Sequence, residues 1–138
     1  MVDVGVSGLR RSRDRLARRA EAASQAGEDA VGGLLLFYAA ECALKAEVLR
    51  SVLQRADTSG LPDALRTHQL RRLAKALNLR APGPGPDPLR CRRHKGGGWI
   101  ESHELHEAWR YGAELNASDQ KAAVEALKSL VRDARKGF

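Results

Sequence analysis

Apolar positions recur at helical intervals through most of the chain. Between about Ser7 and Gln25, Leu9, Leu16, Ala20 and Ala23 share one stripe. Arg10, Arg11, Arg13, Arg15, Arg18 and Arg19 mostly occupy the other faces, and Gly27 breaks the pattern. The next stretch, Glu28 to Arg55, is apolar on more than one face, with Val31, Leu34, Leu35, Phe37, Tyr38, Leu44, Val48, Leu49, Val52 and Leu53. A helix of that kind belongs at the centre of a bundle. Glu41 and Lys45 interrupt it at i,i+4 with the acid first, the order that favours an ion pair. Asp57 to Gly60 ends it. A short piece from His68 to Leu77 has one apolar edge formed by Leu70, Leu73 and Leu77. Two further helices are expected at Glu101–Glu114 and Asp119–Lys136, the second opened by Ser118 as N-cap and stopped by Gly137. Between the third and fourth pieces lie four prolines and two glycines in residues 81–88, which neither a helix nor a sheet interior sustains. The pattern predicts an all-α protein, an up-and-down bundle of four to five helices with a long Pro/Gly/Arg-rich loop. The whole of 1–138 forms one domain, with a flexible basic loop at about 80–99.

Composition supports helices over sheet. Aromatic residues make up 4% of the chain and hydrophobic residues 43%, so the core must be mainly Leu, Val and Ala. The longest apolar run, Leu34 to Ala40, is too short to span a bilayer, and the N-terminus has no basic start followed by an apolar stretch. Cytoplasmic localisation is expected, with no membrane partner. Cys42 in an apolar helix and Cys91 in a basic loop do not suggest a disulfide.

Charge sharpens the picture. The chain is +7 at pH 7, and the segment 61–100 alone carries nine Lys and Arg against two Asp. Arg66, Arg71, Arg72, Arg90, Arg92, Arg93 and Lys95 stand out there as candidates for binding a polyanion such as RNA.

Three stretches resemble a known family. Phe37 to Leu49 (FYAAECALKAEVL) resembles the second helix of HEPN domains, the higher-eukaryote and prokaryote nucleotide-binding family. Thr67 to Leu77 (THQLRRLAKAL) resembles the segment that follows it, and Trp109 to Leu115 (WRYGAEL) with the final helix resembles the family's end. The resemblance implies a helical homodimer that binds RNA or a nucleotide in a bacterial toxin–antitoxin or phage-defence system. A cognate antitoxin or nucleotidyltransferase would be its protein partner. Many members cleave RNA with an Arg and a His separated by four to six residues. That spacing is absent here, since Arg90 and His94 enclose only three residues and no Arg precedes His68, His103 or His106 suitably. A non-catalytic interaction module, an antitoxin or regulatory subunit, is the alternative.

Two constellations bear on chemistry. His106 and Arg110 are i,i+4 and share a helix face, where a neutral imidazole could take a proton from a ribose 2′-hydroxyl beside a guanidinium that steadies the phosphate. Otherwise His106 is a surface residue and Arg110 pairs with Glu107 or Glu114. Cys91, His94, His103 and His106 are a weaker set of zinc ligands at paired short spacing. Trp109 is expected in the core. No cofactor is expected, because Gly96–Gly98 lacks the residues of a phosphate-cradling loop.

Overall fold

The computed structural model describes residues 2–77 and 87–136. Its elements are α1 (Val6–Gln25), α2 (Asp29–Glu47), α3 (Leu70–Ala76), β1 (Cys91–Arg92), β2 (Trp99–Ile100), α4 (Leu105–Tyr111) and α5 (Ala117–Lys136). α2 continues as a π-helical segment, Val48–Leu53, and 3-10 turns occupy Thr58–Gly60, Asp63–Leu65 and Ser102–Glu104.

The protein is mainly helical, and α2 is its central element, packing against α1, α3, α4 and α5. Phe37, Leu44 and Leu49 from the α2 rod are fully buried against Leu73, Leu105 and Leu127 of its neighbours. Two adjacent glycines permit this crowding. A Cβ on Gly32 would stand 2.7 Å from Ser24 Oγ of α1, and one on Gly33 would stand 2.6 Å from the Trp109 ring of α4. Trp109 is buried as expected, and its Nε1 donates to Gln120 Oε1 of α5 at 3.0 Å.

Helix ends follow local chemistry. α1 closes at Gly27 (φ 80°), where the Glu28 amide donates to the Ala23 carbonyl. α5 begins at Ala117, two residues before the expected start. Its cap is Asn116, not Ser118: Asn116 Oδ1 accepts from the Asp119 amide at 3.1 Å and from Ser118 Oγ. The continuous helix expected to Arg55 instead widens into the π segment and stops where Gln54 turns left-handed (φ 51°). The fourth helix is shorter than expected, because its first turn is the 3-10 segment at Ser102–Glu104 and Gly112 (φ 79°) ends it.

The largest departure is in the basic segment. Residues 78–86, which hold most of the Pro/Gly run, lie outside the described residues, as does Gly137. The remainder is an antiparallel hairpin with Cys91 opposite Ile100 and Arg92 opposite Trp99. Leu89, Cys91 and Ile100 are buried in the core, and the Asn116 amide donates to the Arg92 carbonyl. Within 87–100 the chain thus forms a short two-stranded ladder, anchored by the buried Leu89, Cys91 and Ile100, while residues 92–99 are exposed. The expectation of an all-α fold is corrected to that extent.

Candidate functional site

Tyr38, Glu41 and Lys45 follow one another at i, i+3 and i+7 and so share a face of α2. They interrupt the apolar surface of the rod, as Glu47 does at its end. Glu41 and Lys45 form the expected ion pair at 3.2 Å. Glu41 has a second partner that spacing along the helix did not reveal: its Oε1 meets Nδ1 of His68, just before α3. From α4, Arg110 Nη2 donates to the Tyr38 hydroxyl, so Arg110 pairs with neither Glu107 nor Glu114. His106 fills the middle, its ring 4.8 Å from that of His68, 5.0 Å from Phe37 and 6.2 Å from Tyr38. Three segments far apart in sequence thus bring two imidazoles, a phenol, a carboxylate, an ammonium and a guanidinium together.

The two imidazoles differ in environment. His68 is half-exposed, at 53% for the side chain, whereas His106 is 5% exposed and is not the surface residue of the plainer reading. Burial, with the neighbouring His68, holds the His106 pKa below its ordinary 6.5 against the pull of Glu107 and Glu41, so the ring is neutral near pH 7. Its Nδ1 is buried without a hydrogen-bond partner among the described residues. With no acceptor there, the proton of the neutral ring belongs on Nε2. In His68 the order is reversed. A carboxylate only accepts, so Glu41 keeps the proton on Nδ1 and leaves Nε2 as the basic nitrogen. The carboxylate–imidazole contact thus belongs to His68, while His106, the histidine singled out from the sequence, makes no side-chain hydrogen bond among the described residues. The polar interruption of α2 was a legible signal; the arrival of His68 was not.

Four of the seven basic residues are engaged within the chain. Arg90 pairs with Glu101 at 2.9 Å, Arg92 with Asp119 at 2.9 Å and Arg71 with Asp87 at 3.7 Å. Arg66 donates to the carbonyls of Leu61 and Ser59. Arg72, Arg93 and Lys95 are exposed and have no carboxylate partner among the described residues. None of the seven touches the imidazole cluster through a described hydrogen bond or ion pair.

The zinc set does not assemble. Cys91 points into the core, where burial, with Asp119 and Asp87 nearby, pushes its thiol pKa up to about 11. His94 is exposed beyond β1, His103 is exposed ahead of α4, and His106 faces His68. Among the described residues no three His, Cys, Asp or Glu side chains gather where they could hold a metal ion. Cys42 and Cys91 are both free thiols. No helix of the described residues is long and apolar enough to cross a membrane.

Comparison with protein-family models, with curated proteins and with solved structures finds no match.

Proposed function

We propose that this chain is a HEPN-like RNA-binding protein of a bacterial toxin–antitoxin or phage-defence system, and that it cleaves RNA without a metal ion. The observation that carries the reading is the Glu41–His68 pair standing beside the Tyr38–Arg110 pair. Nε2 of His68 accepts the proton of a ribose 2′-hydroxyl, and the 2′ oxygen forms a bond to phosphorus. The bond from phosphorus to the 5′ oxygen breaks, and that oxygen takes the proton of the Tyr38 hydroxyl, whose oxygen is already held by Arg110. Arg110 and Lys45 offset the charge that develops on the phosphate. Glu41 and the neutral His106 are positioning residues: one fixes the tautomer of His68 and the other packs against its ring. His106 as the proton acceptor is replaced in this scheme, while Arg110 keeps its role. The protein works as a homodimer, as its resemblance to HEPN domains implies.

A second reading has one observation in its favour. Arg71, Arg90 and Arg92 are each already paired with a carboxylate of the same chain, which suits a non-catalytic antitoxin or regulatory module.

Labelled cellular RNA incubated with the protein in EDTA at low salt, then resolved on native and denaturing gels, separates the two. Discrete fragments are expected, with the rate falling roughly 10²–10⁴-fold in His68→Ala, the usual span for loss of a general base. His94→Ala, outside the cluster, keeps the rate. Binding without fragments would leave an RNA-binding module. Neither binding nor cleavage would favour the protein-partner reading.

A further inference from the structure

The hairpin at 91–100 carries a feature that the cleavage site does not use. Side chains alternate across a strand, so Cys91 and Ile100 face the core while Arg92 and Trp99, opposite one another, face outward. Arg90, two residues before Arg92, shares that outer side. Trp99 is 47% exposed, in a chain whose only other tryptophan is buried. The guanidinium carbon of Arg90 lies 4.2 Å from the centroid of the Trp99 ring, and that of Arg92 lies at 6.0 Å. Both arginines donate to carboxylates of the chain, Arg90 to Glu101 and Arg92 to Asp119. At the tip, Arg93 and Lys95 project two further exposed cations beside Gly96–Gly98.

A large exposed aromatic ring is costly to leave in water. An exposed indole with cations stacked around it is an arrangement that takes a flat, electron-rich, negatively tethered group. A nucleobase with its phosphate fits both halves: the base lies on the indole and the phosphates meet Arg93 and Lys95. A duplex keeps its bases stacked on each other and offers no free face to the ring. We infer that the outer face of this hairpin is a stacking platform for single-stranded RNA, with Trp99 as its base contact. This rests on the proposed function in taking RNA as the ligand, but it assigns a binding surface separate from the imidazole cluster and limits the ligand to single strands.

Intrinsic fluorescence tests it, because Trp99 is exposed and Trp109 is buried. A 2′-O-methyl oligouridylate, which has no 2′-hydroxyl to react, is titrated into the full chain beside a 2′-O-methyl duplex of equal length. Quenching of the red-shifted emission by the single strand is expected, with little change from the duplex and none in Trp99→Phe. Direct binding should weaken roughly tenfold or more in Trp99→Ala, in line with the loss of one stacked base, and much less in Trp99→Phe. If wild type cleaves RNA or binds the oligomer yet Trp99→Ala binds equally well, the platform is wrong and the proposed function stands. If the chain neither binds nor cleaves any RNA, both fail. Equal quenching by single strand and duplex would also overturn the platform.

Discussion

His106 and Glu47 are buried ionisable residues that meet acid differently, and each makes stability depend on pH with the same sign. In the folded chain His106 sits below its ordinary 6.5, through burial and the nearby His68 and His103, against the opposite pull of Glu107 and Glu41. Once unfolded it binds a proton near pH 6.5, so between the two values the unfolded state holds more protons. Stability therefore falls as pH drops below about 6.5. Glu47 is 1% exposed, and burial pushes its carboxyl up. Hydrogen bonds from Arg50 at 2.7 Å and Arg10 at 3.0 Å outweigh that and hold it below 4.5. Its contribution is present above that value and is lost in a second step as pH falls further. Urea midpoints at pH 7.5 and 5.5 should differ in the wild type, and the difference should shrink in His106→Leu. An unchanged difference would mean that some other group carries the first step.

At the scale of elements, what holds the hairpin is the open mechanical question, since four strand residues cannot hold themselves. Leu89, Cys91 and Ile100 anchor it from within, and Asp119 of α5 clamps it from outside by accepting from the Arg92 amide and guanidinium. Asp119→Ala removes the clamp and leaves the apolar anchor. The expected outcome is a stable protein in which Cys91, normally unreactive because it is buried with its thiol pKa pushed up to about 11, is alkylated faster by more than the change in its thiolate fraction, which the pH profile of the rate gives, since Asp119 also helps to raise that pKa. Peptide-level mass spectrometry separates it from Cys42. If Cys91 stays as slow as in wild type, the core alone holds the hairpin. The helices were legible because each repeats its apolar spacing over two turns or more, and the ion pair of Glu41 with Lys45 was legible because it is local. The hairpin was hidden by its length and by arginines that read as loop. Only the alternation of Arg90, Cys91 and Arg92, and again of Trp99, Ile100 and Glu101, would have indicated it. Asn116 and Ser118 are both good N-cap residues and stand two apart, so spacing alone does not choose between them, and His68 joins Glu41 across 27 residues, a contact that only the fold creates.

Across the whole molecule, folding redistributes the charge that the sequence concentrates in 61–100. Carboxylates of that segment and of the acidic C-terminal part neutralise Arg71, Arg90 and Arg92. On α1, meanwhile, Arg11, Arg15, Arg18 and Arg19 are exposed and form no ion pair among the described residues. Two cationic regions could thus draw RNA electrostatically, the hairpin tip and the α1 ridge, and salt dependence tells them apart. For single strands the slope of log K against log salt is roughly −0.7 per phosphate contacted, so contact through Arg93 and Lys95 alone gives roughly −1.4. Adding the four α1 arginines would steepen it to roughly −4. The Trp99 platform requires the shallow slope, because most of its affinity comes from stacking, which salt scarcely screens. It also requires that Arg93→Gln with Lys95→Gln flatten the slope further, while Arg15→Gln with Arg18→Gln leave it unchanged. The opposite pattern, steep in wild type and reduced only by the α1 pair, would place RNA on α1 and detach the hairpin from its capture.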